Sequence, residues 1–190
     1  MEVERATIRE NNMIWDAVNI NRQAEYPETH FVQFVARNFY SAPDRSKVHF
    51  LDIGSGRHAR NTRFLSDKGF TVTAVDPSQY ALANIHASVN ELAFAWDTFD
   101  CVLDCNTLCH VERPPMEKIR NWLKPGGKFF SVAPADDTPR GHLQGKGFVR
   151  CATQEEIEKL YECFTGLRFG RACYPDGDTS ITSWVIEATK

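Results

Sequence analysis

The residues with types and spacing suited to joint chemistry fall in three short stretches. Asp52, Gly54, Ser55 and Gly56 stand in "FLDIGSG" (50–56), Asp76 ends "FTVTAVD" (70–76), and Asp104 and His110 lie in "FDCVLDCNTLCH" (99–110). Glycines two apart let a backbone approach a ligand where a Cβ would clash. A helix beginning just beyond them offers unpaired N–H groups at its positive end. For a dinucleotide those groups meet a pyrophosphate; for a nucleotide carrying an amino acid they meet a carboxylate.

Gly54, Gly56 and Ala59 satisfy G-x-G-x-x-G/A, which leaves an NAD(P)-dependent oxidoreductase open. Asp52 argues the other way. Its carboxylate repels a pyrophosphate and pairs with an ammonium. S-adenosylmethionine carries an ammonium, a carboxylate, a ribose and an adenine, and suits the loop better. Asp76, 22 residues past Gly54, is placed for ribose hydroxyls in either case. The plainer alternative makes Asp52 a turn cap and Asp76 the cap of a following helix.

These positions require strands that end at the acids. "VHFLDIG" (48–54), "FTVTAVD", "FDCVLDCN" (99–106) and "GKFFSVA" (127–133) read as short apolar strands. Helices are predicted over 12–22, 28–40, 60–69, 77–87, 114–123 and 153–164. Phe31, Phe34, Val35 and Phe39 form an apolar stripe at helical spacing, and Thr153 with Glu156 forms a capping box. Alternating strands and helices predict a doubly wound, Rossmann-like, mostly parallel α/β sheet. The end of the chain reads as two strands around Pro175-Asp176-Gly177, so its last strand runs antiparallel.

The chain has 190 residues and a net charge of −3, which suits a single domain and argues against nucleic acid as the main partner. No apolar run approaches the roughly 20 residues of a membrane span, and the charged start lacks a signal peptide's apolar stretch. A cytoplasmic location with reduced cysteines is expected. Cys101, Cys105 and Cys109 lack zinc spacing, so no metal is expected and the thiols read as apolar filler.

In order along the chain, "FLDIGSG", "VTAVDPS", "FDCVLDCNTLCHVE" and "IRNWLKPGGKFF" resemble the cofactor loop, ribose strand, fourth strand and "LKPGG" turn of class I S-adenosylmethionine-dependent methyltransferases. The lead-in "IWDAVNINRQAEYPETHFVQFVARNF" resembles that of a bacterial subgroup acting on small molecules. The resemblance implies a seven-stranded sheet, S-adenosylmethionine as cofactor and a small-molecule methyl acceptor, O- or N-methylated. It implies cofactor contacts from Asp52, Gly54, Ser55, Gly56, Asp76, Pro77, Asp104 and Cys105.

Two departures stand out. His58 occupies the region of a third glycine. Only 23 residues separate Asp76 from Phe99, which leaves the third, edge strand short or missing and the adenine without its usual acid. Ser88, Val89 and Asn90 are the substitutes at hand. A cofactor-binding protein without catalysis is therefore the alternative. For catalysis, in-line methyl transfer needs mainly alignment, and a base only for a hydroxyl or protonated amine. His110 and Asp104 are the candidates, with His110 bonded to backbone as the plainer reading. Arg140, His142, Lys146 and Arg150, in the polar stretch 134–152, would meet an acceptor from a lid. Trp15 and Tyr26 would close the opposite side.

Overall fold

The computed structural model describes residues 13–17, 25–138, 148–176 and 179–190. Among these residues six strands form one sheet: β1 (His49–Ile53), β2 (Thr71–Val75), β3 (Phe99–Cys105), β4 (Leu123–Pro134), β5 (Thr165–Asp176) and β6 (Thr179–Thr189). Their order is β2-β1-β3-β4-β6-β5. β1 pairs parallel with β2 and β3, and β3 with β4. β6 runs antiparallel between β4 and β5. The expected α/β class, parallel core and antiparallel terminal pair are all present.

Both faces are covered because successive residues of a strand point to opposite sides. Phe50, Cys101, Leu103, Phe130 and Val132 pack with Phe31, Phe34, Val35 and Phe39 of helix α1 (Thr29–Phe39) and Leu65 of α2 (Arg60–Asp67). Leu51, Ile53, Val102 and Phe129 pack on the other face with Ile119 and Trp122 of α3 (Met116–Trp122) and Ile157 of α4 (Gln154–Leu160). The apolar stripe of α1 is thus the buried face predicted for it. Thr153 and Glu156 make the capping box that starts α4.

The helix predicted over 77–87 does not form; that stretch is a series of turns. Ile85 makes a single parallel bridge to Val75, and nothing more remains of the expected edge strand. A parallel return normally needs a dozen or more residues, and the stretch from Val75 to Ile85 is shorter than that. Backbone bonds to β2 and the side chain of Asn84 take the place of a helix ladder. Ala74 N–H donates to Asn84 Oδ1 at 2.8 Å, and Asn84 N–H donates to Ala74 O at 2.8 Å. Asp76 N–H donates to Ile85 O at 3.1 Å. Such local bonds compete with helix formation. Residues 13–17 are helical; the remainder of the helix predicted over 12–22 lies outside the described residues. Arg140, His142 and Lys146 lie outside them too. No helix among the described residues is long and apolar enough to cross a membrane.

Candidate functional site

The carboxyl ends of β1, β2 and β3 bring Asp52, Asp76 and Asp104 to one rim of the sheet. A crevice there is lined by Gly54 to Asn61 and by Cys105. The glycine loop is tied down from within. Gly54 and Ser55 N–H both donate to Val75 O, at 2.7 and 3.2 Å, and Ser55 Oγ donates to Leu82 O at 3.1 Å. Gly56 N–H donates to Asp76 Oδ2 at 2.9 Å, while Asp76 Oδ1 accepts Ser78 N–H at 2.9 Å. The first amides of the loop therefore hold the loop itself. Gly54 has φ +77°, where a side chain is strained, and Thr107 stands directly over it.

Asp52 is 1% exposed. Its Oδ2 accepts from Thr62 Oγ1 at 2.7 Å, but its Oδ1 has no hydrogen-bond partner. Asn61 Oδ1, one residue before Thr62, is likewise buried without a partner. Burial raises the Asp52 carboxyl from 3.8 to about 6, against the lowering effect of its bonds to Thr62 and Asn61 and of the Arg60 charge. A buried acceptor left unmatched carries a desolvation penalty. Two such acceptors beside a glycine loop suit a group rich in donors, and an ammonium has three.

Asp104 is built differently. Its Oδ1 accepts Thr107 and Leu108 N–H, both at 2.9 Å, and its Oδ2 accepts Ser131 Oγ at 2.7 Å. Burial lifts it to about 6 against those three bonds. It braces the turn that carries the single-turn helix Leu108–His110. His110 Nδ1 lies 3.0 Å from Phe148 O. A carbonyl only accepts, so Nδ1 carries the proton. The ring of Trp15 stands edge-on to His110 at 4.3 Å, and Asp16 accepts Ser78 Oγ at 2.6 Å. The short helix 13–17 thus bridges the loops that follow β2 and β3.

The other predicted residues are placed as follows. Cys105 ends β3 beside the crevice, and Pro77 follows Asp76. Val89 packs in the core. Ser88 sits in a turn, its N–H donating to Glu91 Oε2 at 2.8 Å. Asn90 lends its carbonyl to Lys118 at 3.1 Å. Arg150 spends its guanidinium on the carbonyls of Val111 and Glu112, so it anchors the segment behind His110. Tyr26 is 82% exposed. Sequence reasoning missed Asn61, Thr62 and Thr107. Their signal was positional: the first turn of the helix after the loop, and the loop after the fourth expected strand.

A family model described as a methyltransferase domain matches residues 21–173. The chain belongs to that family. Its sheet is the class I S-adenosylmethionine-dependent methyltransferase sheet, with the third strand reduced to one bridge. A Methanosarcina mazei structure described as a SAM-dependent methyltransferase is 19% identical, with 75% of this chain and 92% of that one covered and a TM-score of 0.56. The Burkholderia thailandensis 1,6-didemethyltoxoflavin-N1-methyltransferase, solved with 1,6-didemethyltoxoflavin and S-adenosylhomocysteine, is 20% identical over 89% of this chain and 93% of that one, TM-score 0.58. The Haemonchus contortus phosphoethanolamine N-methyltransferase 2, solved with S-adenosyl-L-methionine, is 15% identical over 95% of this chain, TM-score 0.68; the match spans 57% of that chain. No curated protein matches this methyltransferase-family chain.

Proposed function

We propose that this protein transfers a methyl group from S-adenosylmethionine to a small-molecule acceptor. The observation that carries the reading is the pair of buried, unpartnered oxygens, Asp52 Oδ1 and Asn61 Oδ1, next to the glycine loop. They would hold the cofactor's ammonium. Gly54, Ser55 and Gly56 form the wall against its amino-acid tail, with Cys105 facing them across the crevice. Asp76 would take a ribose hydroxyl while still holding Gly56 and Ser78. The adenine end is assigned to Pro77 and the turn containing Ser88 and Val89, the chain that follows the ribose acid.

When bound, the cofactor supplies an electrophilic methyl on a good leaving group. The protein's part is to align and to exclude water. We assign Asp104 and His110 to positioning. Asp104 holds the turn after β3, and His110 clamps Trp15 and the 148 segment over the rim.

A second reading, a binder of the same cofactor without turnover, draws on the loss of the edge strand. An NAD-dependent oxidoreductase is disfavoured by the buried acid at Asp52. Calorimetry with S-adenosylmethionine, S-adenosylhomocysteine and NAD tests the site: the first two bind and NAD does not. NAD binding, or silence with all three, overturns the proposal. Release of S-adenosylhomocysteine over a metabolite extract then separates enzyme from binder.

A further inference from the structure

A second polar group adjoins the crevice on the α1 side of the sheet. Glu28 is the residue that caps α1, Arg60 opens α2, Cys105 ends β3, and Tyr174 reaches in from β5. Glu28 Oε1 accepts from Arg60 Nη2 at 3.3 Å. Arg60 and Cys105 also line the cofactor crevice, so the two sites share a wall. The His30 ring stands edge-on to the Tyr174 ring at 6.4 Å. The Tyr174 hydroxyl is buried and has no hydrogen-bond partner. Burial raises its phenol above the ordinary range, and Glu28 and then Cys105 add to that. It stays protonated, a donor, beside the start of α1, where Glu28 lies two residues before His30.

Between a phenol that donates and a carboxylate that accepts, the complementary occupant has both a lone pair and a proton. An amine has one lone pair, and accepting from Tyr174 would use it up. A hydroxyl has two. One accepts from Tyr174, its proton goes toward Glu28, and the other lone pair remains for attack. Resting on the methyltransferase reading, we propose that Tyr174 and Glu28 form the acceptor subsite and that the acceptor's nucleophile is a hydroxyl. In the step, the hydroxyl oxygen forms a bond to the methyl carbon. The carbon–sulfur bond breaks with its electron pair going to sulfur. The hydroxyl proton passes to Glu28, leaving a methyl ether, a neutral thioether and a protonated carboxyl.

The test is ligand-observed NMR on the full chain loaded with S-adenosylhomocysteine, using three matched probes: 2-phenylethanol, 2-phenylethylamine and phenylacetate. The alcohol is expected to bind in preference to the other two. Tyr174→Phe weakens it at least about fivefold, the loss of one hydrogen bond of about 1 kcal/mol, and leaves S-adenosylhomocysteine affinity within twofold. With S-adenosylmethionine in place of S-adenosylhomocysteine, the wild type converts the bound alcohol to its methyl ether, whereas Glu28→Gln, which keeps the acceptor oxygen but not the charge, binds the alcohol and leaves it unmethylated. The inference is overturned by equal or tighter binding of the amine or the acid, by no binding of any probe, or by an unchanged affinity in Tyr174→Phe. Failure of S-adenosylhomocysteine itself to bind strikes the parent reading instead.

Discussion

A Cβ placed on Gly54 would lie 1.8 Å from Oγ1 of Thr107. That contact fixes how closely the loop after β1 and the turn after β3 approach each other. Gly54 also has φ +77°, a left-handed conformation that costs an L residue about 1–2 kcal/mol. Gly54→Ala therefore meets two separate penalties. It should lose stability to urea denaturation and lose cofactor binding. The double variant Gly54→Ala/Thr107→Gly removes the clash but not the strained φ, and should recover only part of the stability. Full recovery would show that the backbone conformation is without consequence.

Asp52 is expected to trade stability for binding. Its folded carboxyl sits near 6 because burial outweighs its hydrogen bonds. A raised acid is stabilising below its unfolded value, near 4, and that contribution is lost as pH climbs through 6. Asp52→Asn keeps an acceptor for Thr62 and carries no charge. It should match the wild type at pH 4 and exceed it above pH 6, by about 3 kcal/mol from the size of the shift. Its cofactor affinity should fall about 10- to 100-fold, the range for a lost charged hydrogen bond. Wild-type affinity should likewise decline below pH 6 as Asp52 takes up a proton. Thermal melts and calorimetry across pH 4–8 check both. A variant that is less stable and binds as tightly as wild type would reverse the assignment.

The cysteines should divide by position. Cys101, Cys105 and Cys109 are buried, Cys151 and Cys163 are half-buried, and Cys173 is exposed. Burial raises the three buried thiols well above the usual thiol range, and Asp104 adds to this for Cys105 and Cys109. Thiolate, not thiol, is the reactive form. With a disulfide reagent on the native protein, Cys173 should label first, and the buried three only after denaturation. Peptide mapping that finds Cys105 or Cys109 among the early products would contradict this.

The parallel strands were legible because each holds an apolar run, with β1 and β2 leading into a glycine or an acid, and alternation alone assigns their two faces. Phe50 and Leu51 go to opposite cores for that reason. The helix expected over 77–87 shows the limit. Pro77 and Ser78 are good opening residues, and nothing local marks Asn84 as the partner of β2's outer edge. A short return satisfied by a side chain is a tertiary solution that propensity does not register. The site divides the same way. Asp52, Gly54, Gly56 and Asp76 announce themselves by spacing. Glu28 and Tyr174 are separated by most of the chain, Asp104 is committed to Ser131 of another strand, and Thr107 matters through Gly54 and Asp104, which its spacing does not reveal.

The glycine loop spends its own first amides on Val75 and Asp76 before any occupant arrives. Its ordering entropy is therefore met during folding rather than at the moment of association. A ligand encounters a rigid, ready-shaped wall, and its affinity reflects the few contacts it adds there, without a deduction for immobilising the chain.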